Sequence, residues 1–324
     1  MAAKPRVLVT RRWPEAVEAK MSEVFDLQLN QADKPLGIAD FRDAFQGFDA
    51  VLPTVTDKLP AEAFGDSKAR VKILANYGVG FSHIDTGAAK ERGILVTNTP
   101  DVLSECTADI AMTLMLMAAR RAGEGERELR EGRWTGWRPT HLIGTKVSGA
   151  TLGIIGFGRI GQAMAQRAHH GFGMKILVQN RSAIAPEVLA RYNAVQVASI
   201  EDLLPLCDFV SLHCPGGAAN RHLINAQRLD LMRPGAYLIN TARGEVVDEQ
   251  ALARALWYGT IGGAGLDVFE REPQIPAELL NSDNLVMLPH LGSATRETRE
   301  AMGFRVFENL RDYFEGRAPR DRVA

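Results

Sequence analysis

Short apolar runs separated by stretches of helical periodicity recur along this chain, and that alternation limits its fold more than any other feature. "RVLVT" from Arg6, "AVLPTV" from Ala50, "VKILANY" from Val71 and "ILVTN" from Ile94 have the length and branched content of buried strands. "PEAVEAKMSEVF" and "IADFRDAF" between them suit helices. The pattern starts again with "TLGIIGFG", "KILVQN", "DFVSLHC", "AYLINTA", "GAGLDVF" and "NLVMLPH". Strands that alternate with helices imply parallel sheets covered on both faces. Two such series imply an α/β protein built from two doubly wound parallel-sheet domains.

The segment from Ser104 to Glu131, "SECTADIAMTLMLMAARRAGEGERELRE", reads as one long joining helix with Ser104 as its N-cap. "ATRETREAMGFRVFENLRDYFEGR" reads as an amphipathic C-terminal helix. The 324 residues suffice for two domains, and 46% apolar with 24% charged residues is the balance of a soluble globular protein. A net charge of −1 gives no reason to expect nucleic acid or an anionic membrane as partner. The most apolar run, Ile110 to Ala119, is too short to span a bilayer and is expected to be a buried helix. The N-terminus "MAAKPRVLVTRRW" lacks the apolar core of a signal peptide. Cys106, Cys207 and Cys214 form no C-x-x-C pair and read as thiols of a reducing compartment with no metal role. A cytoplasmic location is expected.

In "TLGIIGFGRIGQAMAQRA" a strand-like run precedes Gly156, Gly158 and Gly161, and a helical pattern follows. This is the context of a dinucleotide-binding turn. Gly156 allows the tight turn, Gly158 the approach of a pyrophosphate, and Gly161 close packing of helix on strand. Phe157, Arg159 and Ile160 fill the same loop, and the positive helix end faces the phosphates. Such sites usually place an acid at the end of the next strand to hold a ribose 2′-hydroxyl. Here that strand, "KILVQNRSA", ends in Asn180, Arg181 and Ser182. A carboxylate would repel a 2′-phosphate, and Asn180 removes that repulsion. Arg181 can pair with the phosphate through its planar fork, and Ser182 can donate a further bond. NADP is therefore expected over NAD. On the plainer alternative, Arg181 is simply solvated and Asn180 ends the strand.

Three further stretches belong together: "LINTARGEVVDEQALARAL", "AGLDVFEREP" and "VMLPHLGSAT". With the glycine loop and a split first domain, they make the chain resemble the D-isomer-specific 2-hydroxyacid dehydrogenases, and among them the glyoxylate/hydroxypyruvate reductases. The resemblance covers nearly the whole chain. It implies a Rossmann-type cofactor domain over residues 101–290. It also implies a flavodoxin-like substrate domain over 1–100 and 291–324, with a cleft between them. It makes Arg243 the substrate-orienting arginine, His290 the acid/base histidine and Glu272 its partner. The chemistry agrees with these residue types. Reducing a 2-oxo acid delivers hydride to the carbonyl carbon while the oxygen gains charge and needs a proton. A histidine can supply that proton near neutrality. A carboxylate beside it favours the imidazolium and fixes the ring. An arginine grips the substrate carboxylate and stabilises the developing oxyanion. Each residue alone has an ordinary explanation as a surface charge, a solvated turn or a core histidine.

The resemblance further assigns Thr107, Thr241, Ala242, Asp267 and Gly292 to the cofactor, with capping as the competing role for Thr107 and Asp267. In "ILANYGVGFSHIDTG" the loop Gly78, Val79, Gly80 resembles the family's carboxylate-binding loop, Val79 and Gly80 being the binding residues. Glycines leave backbone amides free to form an anion-binding concavity. His83 is expected to cap or pack near the following helix, and Asn76 is a candidate for lining the pocket. Trp134 and Trp137 lie outside any periodic core and suit either an interface or intrachain packing. The resemblance implies a homodimer. The expected activity is NADPH-dependent reduction of glyoxylate or hydroxypyruvate to the D-2-hydroxy acid. The competing readings are an NAD-dependent relative such as 3-phosphoglycerate dehydrogenase, and a non-catalytic dinucleotide sensor. Asn180 counts against the first, as does a chain that is expected to carry no added regulatory domain after its last helix. The intact Arg243, Glu272 and His290 count against the second. Formate dehydrogenase shares the fold, but an acidic partner for the histidine suits carbonyl reduction better.

Overall fold

The computed structural model describes residues 3–65 and 69–324. Its chain divides into two compact units, one of Met1–Leu103 with Ala294–Ala324 and the other of Ser104–Ser293. The joins fall a few residues beyond 100 and 290 because the second unit begins with the first turn of a helix at Ser104.

In the first unit, strands β1 (Arg6–Val9), β2 (Asp26–Leu29), β3 (Ala50–Leu52), β4 (Ile73–Ala75) and β5 (Leu95–Thr97) are all parallel. Their order, β2-β1-β3-β4-β5, is the flavodoxin-like one. Helices α1 (Glu15–Val24), α2 (Ile38–Gly47) and α3 (Thr86–Glu91) connect them. Successive strand residues point to opposite faces. Val7, Val9, Ala50 and Leu52 therefore enter one core with Val17 and Met21 of α1. Leu8, Val51 and Leu74 enter the other with Phe41 and Phe45 of α2. Burial on both faces is what makes these strands continuous apolar runs. β2 departs from that rule. It is an edge strand whose "DLQL" alternates between exposed and half-buried, so the sequence reading contains no strand there. The C-terminal helix, Arg296–Phe314, returns to this unit and packs Val306, Phe307 and Leu310 into the α1 core.

The second unit opens with α4 (Ser104–Ala119) and α5 (Ala122–Arg130). The single helix expected over 104–131 is thus broken. The apolar run that holds α4 in the core ends at Ala119, and Arg121 then adopts left-handed backbone with φ 51° and ψ 34°. Its guanidinium closes the break by pairing with Glu124 in two 2.8 Å bonds. Ser104 is the first residue of α4 and not its cap. Strands β6 (Thr151–Ile155), β7 (Lys175–Gln179), β8 (Ala194–Gln196), β9 (Phe209–Leu212), β10 (Tyr237–Asn240), β11 (Gly263–Leu266) and β12 (Leu285–Met287) follow. They pair in parallel in the order β12-β11-β10-β9-β6-β7-β8. This is the Rossmann order extended by one strand, with its switch point between β6 and β9. The three-residue edge strand β8 is the other strand that the sequence pattern does not reveal. Helices α6 (Arg159–Gln166), α7 (Pro186–Ala190), α8 (Ile200–Leu203), α9 (Ala226–Leu231), α10 (Glu249–Trp257) and α11 (Ala277–Leu280) make the connections. α4 covers one face through Leu114 and Met115, and α10 the other through Leu252 and Leu256. Among the described residues, no helix is long and apolar enough to cross a membrane.

Leu310 is fully buried in the core that the C-terminal helix shares with α1. Leu310→Ala is expected to cost about 2–5 kcal/mol, read as a lowered denaturant midpoint. A loss below about 0.5 kcal/mol, the range of surface substitutions, would show that this helix is not part of the first unit's core.

Candidate active site

Parallel pairing places the loops after β6, β7, β9, β10, β11 and β12 on one edge of the second unit's sheet. At the switch point, Gly156 has φ +90°, and a Cβ there would lie 2.7 Å from Cys214 N in the loop after β9. Gly161 sits in the first turn of α6, where a Cβ would lie 2.3 Å from Gly156 O. Gly158 is the helix N-cap and is exposed, and a Cβ there would meet nothing within 4 Å. No packing within the chain therefore requires a glycine at 158, whereas a bound pyrophosphate would. Phe157 is buried edge-on against Tyr192, Ile160 is half-buried and Arg159 is exposed.

Asn180 follows β7 and ties this loop together. Its Oδ1 accepts from Phe157 N at 3.2 Å, while its Nδ2 donates to Ser182 O and Oγ at 3.1 Å. Arg181 and Ser182 are exposed, and Arg181 forms no ion pair among the described residues. The carbonyl oxygen of Asn180 thus serves the glycine loop as a carboxylate would, without the charge.

The remaining residues come from the loops after β10, β11 and β12. Asn240 ends β10 and shapes the Thr241–Arg243 turn, its Oδ1 accepting from Ala242 N at 3.0 Å and its Nδ2 donating to Arg243 O at 2.9 Å. Thr241 and Ala242 are buried, and Thr241 Oγ1 has no partner among the described residues. The next residue must be glycine, since a Cβ on Gly244 would lie 1.9 Å from the carbonyl carbon of Phe269. That close approach brings the Arg243 turn against the loop carrying Glu272. Burial draws the Arg243 guanidinium's pKa below its ordinary value, against the opposing charges of Glu272 and Glu245.

Glu272 Oε2 accepts from His290 Nδ1 at 2.9 Å, and its Oε1 accepts from Phe269 N at 3.0 Å. Burial opposes the Glu272 charge. The His290 and Phe269 bonds and the nearby Arg243 outweigh it and hold the carboxyl below its usual range. Both side chains of the pair are about one third exposed, so small molecules can reach them. His290 has φ 56°, a left-handed conformation unusual for a side-chain-bearing residue. It is held there by bonds from its N–H to Asp267 O at 2.9 Å and Leu288 O at 3.1 Å. The Asp267 carboxylate fixes the continuation, accepting from Leu291 N at 2.7 Å and Gly292 N at 2.8 Å. Thr107 Oγ1 donates to Gly292 O at 3.1 Å. Thr107, Asp267 and Gly292 thus form one braced loop around His290.

Val79 and Gly80 belong to the first unit, in the loop after β4, and are half-buried. Asn76 is fully buried and bonded to that loop's carbonyls, so it braces the loop and does not line a pocket. His83 packs against it, Nε2 to Oδ1 at 3.0 Å. Sequence reasoning missed Asn240, Gly244 and Asn98. The spacing N-x-x-R-G after a buried strand is the available signal for the first two.

An imidazole–carboxylate pair near a half-buried arginine, on the switch-point edge of a Rossmann sheet, is an arrangement that suits a dinucleotide-dependent oxidoreductase. The glycine turn, the open Gly158 and the unpartnered Thr241 hydroxyl fit such a cofactor. Residues 112–292 match the family described as D-isomer specific 2-hydroxyacid dehydrogenase, NAD binding domain. A glyoxylate reductase of Thermococcus onnurineus is 43% identical over 320 residues, 98% of this chain and 95% of that protein. The NADPH-dependent glyoxylate/hydroxypyruvate reductase of Sinorhizobium meliloti, solved with NADP and malonate, is 36% identical with a TM-score of 0.86, covering 99% of this chain and 97% of that one. A glyoxylate reductase structure from Paecilomyes thermophila gives 32% identity and a TM-score of 0.87 over 100% and 99% of the two chains. The chain belongs to the D-isomer-specific 2-hydroxyacid dehydrogenase family and is an oxidoreductase.

The depressed Glu272 pKa has a consequence for stability. The folded value lies below the unfolded one of about 4.3, so the unfolded chain binds more protons between the two. The stabilisation from Glu272 is present above the unfolded pKa and is lost as pH falls through the folded one. Thermal melts from pH 5 down to pH 3 should therefore fall more steeply for the wild type than for Glu272→Gln. Parallel curves would contradict the pairing.

Proposed function

We propose that this protein is an NADPH-preferring reductase of small 2-oxo acids, converting glyoxylate to glycolate or hydroxypyruvate to its D-2-hydroxy acid. The observation that carries the reading is the His290–Glu272 pair at 2.9 Å, with the Arg243 charge bearing on Glu272. When bound, the reduced nicotinamide supplies a hydride to the carbonyl carbon. His290 supplies the proton. Its Nδ1–H donates to Glu272, which leaves Nε2 as the nitrogen that hands a proton to the carbonyl oxygen. Glu272 stays ionised through the neutral range because its pKa is depressed, so it fixes the ring and balances the imidazolium. Arg243 holds the substrate carboxylate and stabilises charge on the reacting oxygen. In the first unit, the Val79 and Gly80 amides are the candidate donors to a substrate carboxylate.

Gly156 to Gly161 and the N-terminus of α6 would hold the pyrophosphate. Thr107, Thr241, Ala242, Asp267 and Gly292 would lie toward the nicotinamide. The Asp267 oxygens each accept one backbone bond and keep further lone pairs for a carboxamide. The lean toward NADP is supported by a neutral Asn180 and by an Arg181 that forms no ion pair among the described residues. Trp134 and Trp137, 51% and 82% exposed, support a homodimer. The free thiols suit a cytoplasmic location.

Steady-state assays of glyoxylate and hydroxypyruvate should give higher kcat/KM with NADPH than with NADH. Arg181→Ala should lower the NADPH value by about tenfold or more and leave NADH nearly unchanged. A preference for NADH in the wild type would overturn the cofactor assignment. His290→Asn should reduce kcat by about 10²–10⁴-fold with cofactor affinity retained, and turnover near wild type would remove His290 from the reaction.

A further inference from the structure

Asn76 and Asn98 follow β4 and β5, adjacent strands of the first unit's sheet. Both are buried, at 0% and 8% exposure. Asn76 Nδ2 donates to Gly78 O at 2.9 Å and to Gly80 O at 3.1 Å. Asn98 Nδ2 donates to Val79 O between them, at 2.8 Å. Three consecutive carbonyls are thus held by two buried carboxamides. The asparagines are themselves fixed. Asn76 Oδ1 meets His83 Nε2 at 3.0 Å, and Asn98 exchanges backbone bonds with the C-terminal segment through Asp321 O and Asn309 Nδ2.

In a planar trans peptide the C=O and the following N–H point in opposite directions. Drawing Gly78 O toward the buried Asn76 turns the Val79 N–H away from it. Drawing Val79 O toward Asn98 does the same for the Gly80 N–H. Neither N–H donates to any group among the described residues. Backbone donors at half-buried positions need a partner, and an anion is a strong one. A loop stabilised only for its own sake would use these donors. This one leaves them free and spends two buried side chains on their carbonyls.

We infer that Asn76 and Asn98 are positioning residues that aim the Val79 and Gly80 amides at the substrate's carboxylate, an inference that rests on the carboxylate-binding reading of that loop. Preference for 2-oxo acids over uncharged carbonyls then depends on two side chains that do not touch the substrate.

The test uses the full-length enzyme with NADPH and compares glyoxylate with glycolaldehyde, which keeps the reacting carbonyl and lacks the carboxylate. Asn98→Ala should raise KM for glyoxylate about tenfold or more. It should change kcat much less and leave KM for glycolaldehyde and cofactor affinity within about twofold. Asn98→Asp preserves volume, cannot donate and adds a negative charge beside the Val79 carbonyl, so it should behave the same way even if the alanine variant fails to fold. Equal losses on both carbonyls, or an unchanged KM for glyoxylate, would overturn the inference. The wild type separates the two layers. If it does not prefer glyoxylate to glycolaldehyde, the carboxylate reading of the loop fails and takes this inference with it. A wild-type preference that survives both Asn98 substitutions overturns this inference alone.

Discussion

Parallel strand pairing sends the carboxyl ends of β6, β7, β9, β10, β11 and β12 to one edge of the second unit's sheet, and most residues of the candidate site stand there for that reason. Gly156 and His290 are far apart in sequence, yet Gly156 directly follows β6 and His290 lies in the loop just after β12 of the same sheet. The strands are buried on both faces and must stay apolar. Their C-terminal loops carry no such duty, so polar and charged residues collect there at little cost to the core. The reversal of strand order between β6 and β9 then opens the edge where the glycine turn sits. Fold and chemistry are separable in this chain because they occupy different parts of the same strands.

What holds the loops is a recurring device, a side-chain amide or carboxylate bonded to backbone. Asp267 accepts from Leu291 N and Gly292 N, Asn240 bonds both Ala242 N and Arg243 O, and Asn180 links Phe157 N to Ser182. Each bond contributes on the order of 1 kcal/mol net, and more where the acceptor is charged. His290 shows what such bracing sustains. Left-handed backbone costs a side-chain-bearing residue about 1–2 kcal/mol, and the bonds to Asp267 O and Leu288 O offset that. The imidazole is presented to Glu272 by a conformation that the loop would not keep unbraced.

These devices also explain what was legible in the sequence. Doubly buried strands announce themselves as apolar runs, so the frames of both sheets were readable, while the edge strands β2 and β8 were not, because neither contains a fully buried residue. The break at Arg121 was hidden because helical periodicity continues past Ala119 and only the loss of apolar residues marks the end of burial. Gly156 and Gly161 were legible because their spacing encodes close contacts that only glycine permits. Asn76, Asn98 and Asn240 were not legible as braces. A buried asparagine bonded to backbone and an exposed one in a turn are the same letter, and only the coordinates say which carbonyls it holds.

Electrostatics gives the last connection. Arg243 has two carboxylates near enough to influence it, but neither forms an ion pair with it among the described residues. Glu272 spends its oxygens on His290 and Phe269 N, and Glu245 Oε1 accepts from Gly217 N at 2.5 Å. Among the described residues, the guanidinium donates only from Nη1 to Ala242 O, at 2.7 Å. A mostly buried cation left without a contacting anion is costly, and its cost falls when an anion arrives to pair with it. The neighbouring carboxylates keep Arg243 charged without occupying its donors. That arrangement suits the proposed role, because a 2-oxo acid brings the missing carboxylate with its own reacting carbonyl attached.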